Sequence, residues 1–191
     1  MKALILADRC TWERDELIRR AEAADCVISL GDLFWGDLAA LEGMRKPKMG
    51  VYGNHCYPDY LADLGFENLH LRTATFGGLI FGGFQGCVRY KEGDAVMHTQ
   101  EEAQKLLVDF PRVDVMVCHA PPLGVHDERD SISHVGFLAL LGYCLKHNPK
   151  YLLHGHTYPQ TVTETDTGNF TTTQLGETNV IYVQGLQTID L

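Results

Sequence analysis

Apolar and polar positions divide the chain into short, alternating segments. KALILA, residues 2–7, is apolar along its length and reads as a buried strand. TWERDELIRRAEAA, residues 11–24, has helical spacing, with Thr11 as N-cap and Glu13 and Glu16 in the first turns. CVISL at 26–30 reads as a strand, DLAALEGM at 37–44 as a short helix, KMGVY at 48–52 as a strand and 58–64 as a brief helix. Strands that are apolar throughout, separated by helices, predict a parallel sheet covered on both faces. HLRTATF and GLIFGGFQG then read as paired strands joined by Gly77-Gly78. Thr99 to Phe110 is helical, VDVMVC a strand, Phe137 to His147 a helix and KYLLH a strand. The Thr- and Val-rich tail, with turn signals at Gly168-Asn169 and Gly185, reads as antiparallel strands. Together these elements predict a two-sheet α/β sandwich.

Composition sharpens this picture only in places. With 191 residues, 45% hydrophobic and 21% charged, the chain is globular and of a length for one domain, 1–191. At that size folding buries roughly 70% of the unfolded surface, so no disulfide or metal staple is needed. Asp plus Glu is 25 against 16 for Lys plus Arg, a net charge of −9, which disfavours a general nucleic-acid or acidic-membrane binder. No apolar run approaches the roughly 20 residues of a membrane span, and MKALILADRC, with Asp8 inside it, does not read as a signal peptide. The six cysteines (10, 26, 56, 87, 118 and 144) form no CxxC pair and read as thiols of a reducing compartment. A soluble, cytoplasmic protein is the expectation.

The chemistry sits at the strand ends. LILA ends in Asp8, VISLG in Asp32, MGVYG in Asn54 and His55, VMVC in His119 and YLLHG in His156. Five apolar strands each deliver a polar, metal-ligating residue type just past the carboxyl end, the edge at which open α/β sheets bind ligands. Any one of these residues is ordinarily a turn, cap or surface residue; five in equivalent places make a constellation. Carboxylates, an amide oxygen and imidazoles suit Mn, Fe, Zn or Mg better than a soft metal.

In order and spacing, Asp8-Arg9-Cys10, Gly31-Asp32, Gly53-Asn54-His55, His119 and Gly155-His156-Thr157-Tyr158 resemble the calcineurin-like metallophosphoesterases, whose pattern is DxH, GD, GNH(D/E), H and GHxH. The stretch CHAPPLGVHDERDSISHVGF is similar to a bacterial branch of that family, and the resemblance covers nearly the whole chain. It implies a four-layer α/β/β/α sandwich and a site for two divalent metals, Mn before Fe, Zn or Mg, about 3.5–4 Å apart. Carried over, Asp32 bridges both metals, Asn54, His119 and His156 complete the second site, and Asp8 belongs to the first. His55 is the general acid for the leaving oxygen or a donor to a phosphoryl oxygen. The implied reaction is hydrolysis of a small phosphate mono- or diester by in-line attack of a metal-bound hydroxide.

The sequence departs from the pattern on one side. The histidine of DxH is Cys10, and the second histidine of GHxH is Tyr158. Both belong to the first metal, so two ions are expected if either residue supports that site and one otherwise. Cys10 as a thiolate would favour Zn or Fe. GNH is followed by Cys56 where an acid is common. Arg89, His126 and Tyr158 are expected at the substrate, His154 in support of the site, and His70, His98 and His147 at the surface. Two other readings stand beside the enzyme: a catalytically silent member kept as a protein-interaction scaffold, and a metal-dependent nuclease, which the acidic balance disfavours. No residue pattern specifies an oligomeric state, although the C-terminal hairpins offer an edge for pairing.

Overall fold

A computed structural model describes residues 1–8, 12–56, 60–93 and 95–191. In its first half, β1 (Lys2–Ala7), β2 (Cys26–Ser29), β3 (Lys48–Gly50) and β4 (Glu67–Asn68) lie parallel in the order β4-β3-β2-β1. Helices α1 (Arg14–Ala23), α2 (Trp35–Leu38, continuing as a 3-10 turn over Ala39–Leu41) and α3 (Tyr60–Asp63) connect them. The expected helix over 11–24 is thus present from Arg14, and Glu13 caps it through its backbone alone. Thr11, Pro58 and Asp59 lie outside the described residues.

The second half begins with β5 (Thr73–Phe76) and β6 (Leu79–Phe84), an antiparallel pair about Gly77-Gly78, as expected. A small parallel pair follows, β7 (Cys87–Val88) and β8 (Met97–His98). Then come α4 (Gln100–Leu107), β9 (Val115–Cys118), α5 (Leu138–His147) and β10 (Tyr151–His154), with β6, β9 and β10 parallel neighbours. Thr99 starts α4 through a reciprocal pair: its hydroxyl accepts the Glu102 N–H, and the Glu102 carboxylate accepts the Thr99 N–H. The tail forms β11 (Thr163–Thr165), β12 (Gly168–Leu175) and β13 (Thr178–Asp190).

Strand β13 joins the halves. Residues 179–182 run parallel to β10 and, on the other edge, antiparallel to β12, whereas residues 185–190 run antiparallel to β1. Ala7, the last residue of β1, lies opposite Gly185, and His154, the last of β10, lies opposite Tyr182. The carboxyl ends of the two parallel sets therefore meet head to head over the middle of one strand. Gly185, expected at a turn, instead sits inside β13 with φ +81°, where the strand changes partners. The preceding hairpin turns at Asp166-Thr167, two residues before the expected Gly168-Asn169.

Three apolar clusters identify four layers. Ala3, Ile5, Ile28, Val115, Val117, Leu153 and Ile181 meet between the two strand sets. Their alternate neighbours face outward: Leu4, Leu6 and Val27 against Leu17 and Ala21 of α1, and Met116, Cys118 and Leu152 against Leu107 of α4 and Leu140 of α5. A period of two along each strand thus divides the side chains between an inter-sheet core and a helical cover. This is the expected α/β/β/α sandwich, with its two sheets linked through β13 into one curled ladder. The five described cysteines are free thiols, and no described helix is long and apolar enough to cross a membrane.

His70, His98 and His147 are half-buried rather than at the surface. The His70 and His98 rings stack at 5.7 Å and pack on Phe84, and His70 Nδ1 accepts the Gln85 N–H at 3.3 Å. Burial, with His98 adding, pushes the His70 pKa down to about 4. Between pH 4 and about 6.5 the unfolded chain then binds a proton that the folded chain does not, so stability falls as pH falls through that window. We expect a loss on the order of 1–2 kcal/mol after allowance for solvent screening. Urea titrations from pH 7 to 4 check it: His70→Asn, which keeps an acceptor for Gln85, should flatten the slope, and an unchanged slope would refute the assignment.

Candidate metal centre

The backbone at the strand ends is bent by a shared device. Asp8 (φ 48°), Asp32 (φ 53°) and His156 (φ 70°) all adopt left-handed conformations that non-glycine residues seldom hold. Each turns its side chain off the end of its strand toward the head-to-head junction. Glycines make room for them. A Cβ on Gly53 would land on Asp32 Oδ1, and one on Gly155 would lie 2.6 Å from Asp8 Oδ2. Gly31, at φ +98°, lies so close to the Gly53 nitrogen that it too has no space for a side chain. The glycines of GD, GNH and GHT are thereby explained as space left for two carboxylates and the turns that carry them.

Asp32, His119 and His156 bring one ligand atom each within 4.8 Å of one another. His119 is fully buried; its Nδ1 donates to the Leu30 carbonyl at 2.9 Å, which leaves Nε2 facing Asn54 Oδ1 at 3.0 Å and Asp32 Oδ2 at 3.4 Å. An imidazole nitrogen aimed at two oxygen acceptors needs either a proton or a cation between them. Burial disfavours the charged ring, but attraction to Asp32 outweighs it and raises His119 to about 9. Asp32, although burial raises it, is held below the usual carboxylate range by His119 and by the His55 N–H, which donates to Asp32 Oδ1 at 2.8 Å. Donor types, convergence and burial together fit a divalent cation.

Supporting contacts set the orientation of each group. His156 Nε2 donates to the Ser133 carbonyl at 2.8 Å, which leaves Nδ1 as the acceptor, and burial pushes its pKa down to about 3. Asn54 Nδ2 donates to the Tyr90 hydroxyl at 3.4 Å, turning Oδ1 toward His119. Cys56 Sγ accepts the Asp32 and Gly53 N–H groups, both at 3.0 Å, so the residue after GNH fastens the two loops together. Asp8 Oδ2 accepts the His156 N–H at 2.8 Å, and burial, reinforced by the Asp32 charge, raises Asp8 to about 6. Asp8 stands outside the three-residue cluster, and Cys10 lies outside the described residues.

The other expected site residues are placed as follows. His55 is exposed at the rim, its imidazole near enough to Asp32 for its positive form to favour that carboxylate. Arg89 bonds the Met97 carbonyl at 2.9 Å and pairs with Glu102 at 3.4 Å, so its guanidinium serves the start of α4. His126 bonds His154 at 2.9 Å and Thr173 at 2.8 Å, joining the loop before α5 to the GHT turn. Tyr158 is 62% exposed, its ring edge-on to His134 at 5.4 Å. The sequence reading missed Ser133 and the Leu30 carbonyl. Both act through backbone oxygens, which leave no residue signature.

A family model described as calcineurin-like phosphoesterase matches residues 6–160, a span containing Asp8, Asp32, Asn54, His119 and His156. No curated protein matches the chain. Among solved structures, TT1561 of Thermus thermophilus is 14% identical with a TM-score of 0.64, over 99% of this chain and 98% of that one. A second crystal structure is 13% identical with a TM-score of 0.63, over 98% of each chain. At such identities the likeness is one of fold, and the family follows from the model matched along most of the length: the chain belongs to the calcineurin-like phosphoesterases.

Proposed function

We propose that this chain is a metal-dependent phosphoesterase that cleaves a small phosphate mono- or diester. In this reading Asp32, Asn54, His119 and His156 hold a divalent cation, and His55 serves the departing oxygen. The observation that supports it most is His119 Nε2, aimed at two oxygen acceptors while its other nitrogen is tied to Leu30. A cation held there would polarise a phosphoryl oxygen, lower the pKa of water and offset the charge that develops on phosphorus. The mixed oxygen and nitrogen donors suit Mn, and equally admit Fe, Zn or Mg.

The chain's own residues have distinct duties. Asp32 stays anionic through the neutral range and is the fixed negative charge of the pocket. Asp8, raised to about 6, adds a second charge only above that pH. His156, neutral with Nε2 engaged, offers one lone pair. His55, exposed beside Asp32, hands a proton to the leaving oxygen or donates to a phosphoryl oxygen. A small ester fits the −9 charge better than a nucleic acid.

Three outcomes follow. Because His119 carries a proton below about pH 9, that proton must leave before a cation enters. Affinity for Mn should therefore rise about tenfold per pH unit up to that value, with about one proton released per ion. Calorimetry in buffers of different ionisation enthalpy reads this directly, and binding without proton release would contradict the arrangement. Replacing His55 by Ala should lower kcat on chromogenic phosphate esters by about 10²–10⁴ with metal content retained. If purified protein binds Mn, Zn, Mg or Fe yet turns over no ester, the scaffold reading prevails. Finally, Gly53→Ala should displace Asp32 and weaken metal binding about 10–100-fold while circular dichroism stays native; unchanged affinity would show that this close approach is dispensable.

A further inference from the structure

A cavity of about 860 Å³ opens beside the candidate metal centre, between the loop at 126–131, the segment 158–161 and β12. Tyr158 is its shared wall. It follows His156 by two residues, and its ring lies 5.4 Å from that of His134, which in turn stands edge-on to His156 at 5.3 Å. The cavity is thus linked to the candidate metal centre through the ring contacts of Tyr158, His134 and His156.

Its lining has a definite chemistry. Several polar side chains are already committed: Asp127 accepts the Gly136 N–H, Glu128 pairs with His134, and His126 is held by His154 and Thr173. Among the described residues, Gln160, Thr161, Thr171, Arg129 and Asp130 have no such partner. Hydroxyls and an amide both donate and accept, and Arg129 and Asp130 together add one donor group and one acceptor group with no net charge. Two rings line the cavity among the described residues, Tyr158 and His126, and both are engaged, Tyr158 with His134 and His126 with His154. Such a wall matches alternating donors and acceptors on a neutral guest and offers little to an apolar or aromatic one.

We propose that this cavity is the leaving-group subsite of the phosphoesterase and that it selects a hydroxyl-rich alcohol, a sugar or polyol, over an apolar one. The proposal rests on the phosphoesterase reading above. In the hydrolysis, the bond from phosphorus to the alcohol oxygen breaks, water supplies the oxygen of the new bond to phosphorus, and the alcohol leaves with a proton delivered at His55. The subsite holds that alcohol through its remaining hydroxyls.

The test compares glucose 6-phosphate with cyclohexylmethyl phosphate, which has nearly the same shape without the hydroxyls, and the methyl diesters of both. The Mn-loaded protein should favour the sugar ester in kcat/KM by about tenfold or more. Gln160→Leu and, separately, Thr171→Val should each reduce that preference by about 3–10-fold. Thr171→Val keeps a β-branched residue on β12, so it reads the subsite even if the first variant folds poorly. Equal kcat/KM for the two esters, or a preference unmoved by either folded variant, overturns the subsite alone. So does hydrolysis of phenyl phosphate with neither of these esters cleaved. Hydrolysis of no phosphate ester by the metal-loaded protein overturns the phosphoesterase reading and the subsite with it.

Discussion

The arrangement of this molecule depends on one strand having to pair with two others that end against its middle. β13 runs with β10 along its first half and against β1 along its second, so Ala7 and His154 reach positions only three residues apart, Gly185 and Tyr182. Two parallel sheets normally place their carboxyl edges wherever their own packing dictates. Here hydrogen bonding to a common strand forces the two edges to face each other, and β2 and β9 follow because they are laddered to β1 and β10. The candidate centre is the place where that junction is lined by polar side chains: Asp32 and Asn54 come from one half, His119 and His156 from the other.

Bringing acids to such a junction carries an electrostatic cost, and the local structure is organised around it. Removing a carboxylate from water disfavours its charge, which is why Asp8 rises to about 6. Asp32 escapes the same fate because a buried imidazolium lies 3.4 Å away and a backbone N–H is directed at it. The left-handed turns and side-chain-free glycines serve the same end, since they let backbone N–H groups approach the carboxylates closely: His55 N–H to Asp32 and His156 N–H to Asp8. Strained backbone and depressed or raised pKa values are therefore two aspects of one requirement, to hold anions together at the closed end of a sandwich.

This explains what could be read from residues alone. Period and composition located the apolar strands, and the polar residue after each strand marked the site, because both are local properties of the chain. The GHT and GNH glycines were visible as motif letters, but their meaning, room for Asp8 and Asp32, depends on contacts between residues far apart in sequence. Gly185 illustrates the limit. A glycine within a Thr- and Val-rich tail has the local signature of a turn, yet this one lies within a strand because β1 and β12 both pair there. Arg89 followed the same logic in reverse. A basic residue after a glycine-rich strand suggests an anion clamp, and its pairing with Glu102, itself fixed by the start of α4, is a contact between elements that the local sequence does not show.

Tyr158 connects the departures from the family pattern with the shape of the surface. A ligating side chain at that position would have to turn inward, toward Asp8. The tyrosine instead lies outward against His134, more than half exposed, and closes one side of the adjoining cavity. The four donors of the proposed cation position do not depend on it, because they come from the ends of β2, β3, β9 and β10. In the proposed reading the substitution therefore acts on the side of the site that Asp8 serves and leaves the four-donor side intact. The Tyr158 side chain instead lines the adjoining cavity. In the proposed reading, a side chain turned toward His134 rather than toward Asp8 gives up coordination and forms a wall of the adjoining cavity by the same change in direction.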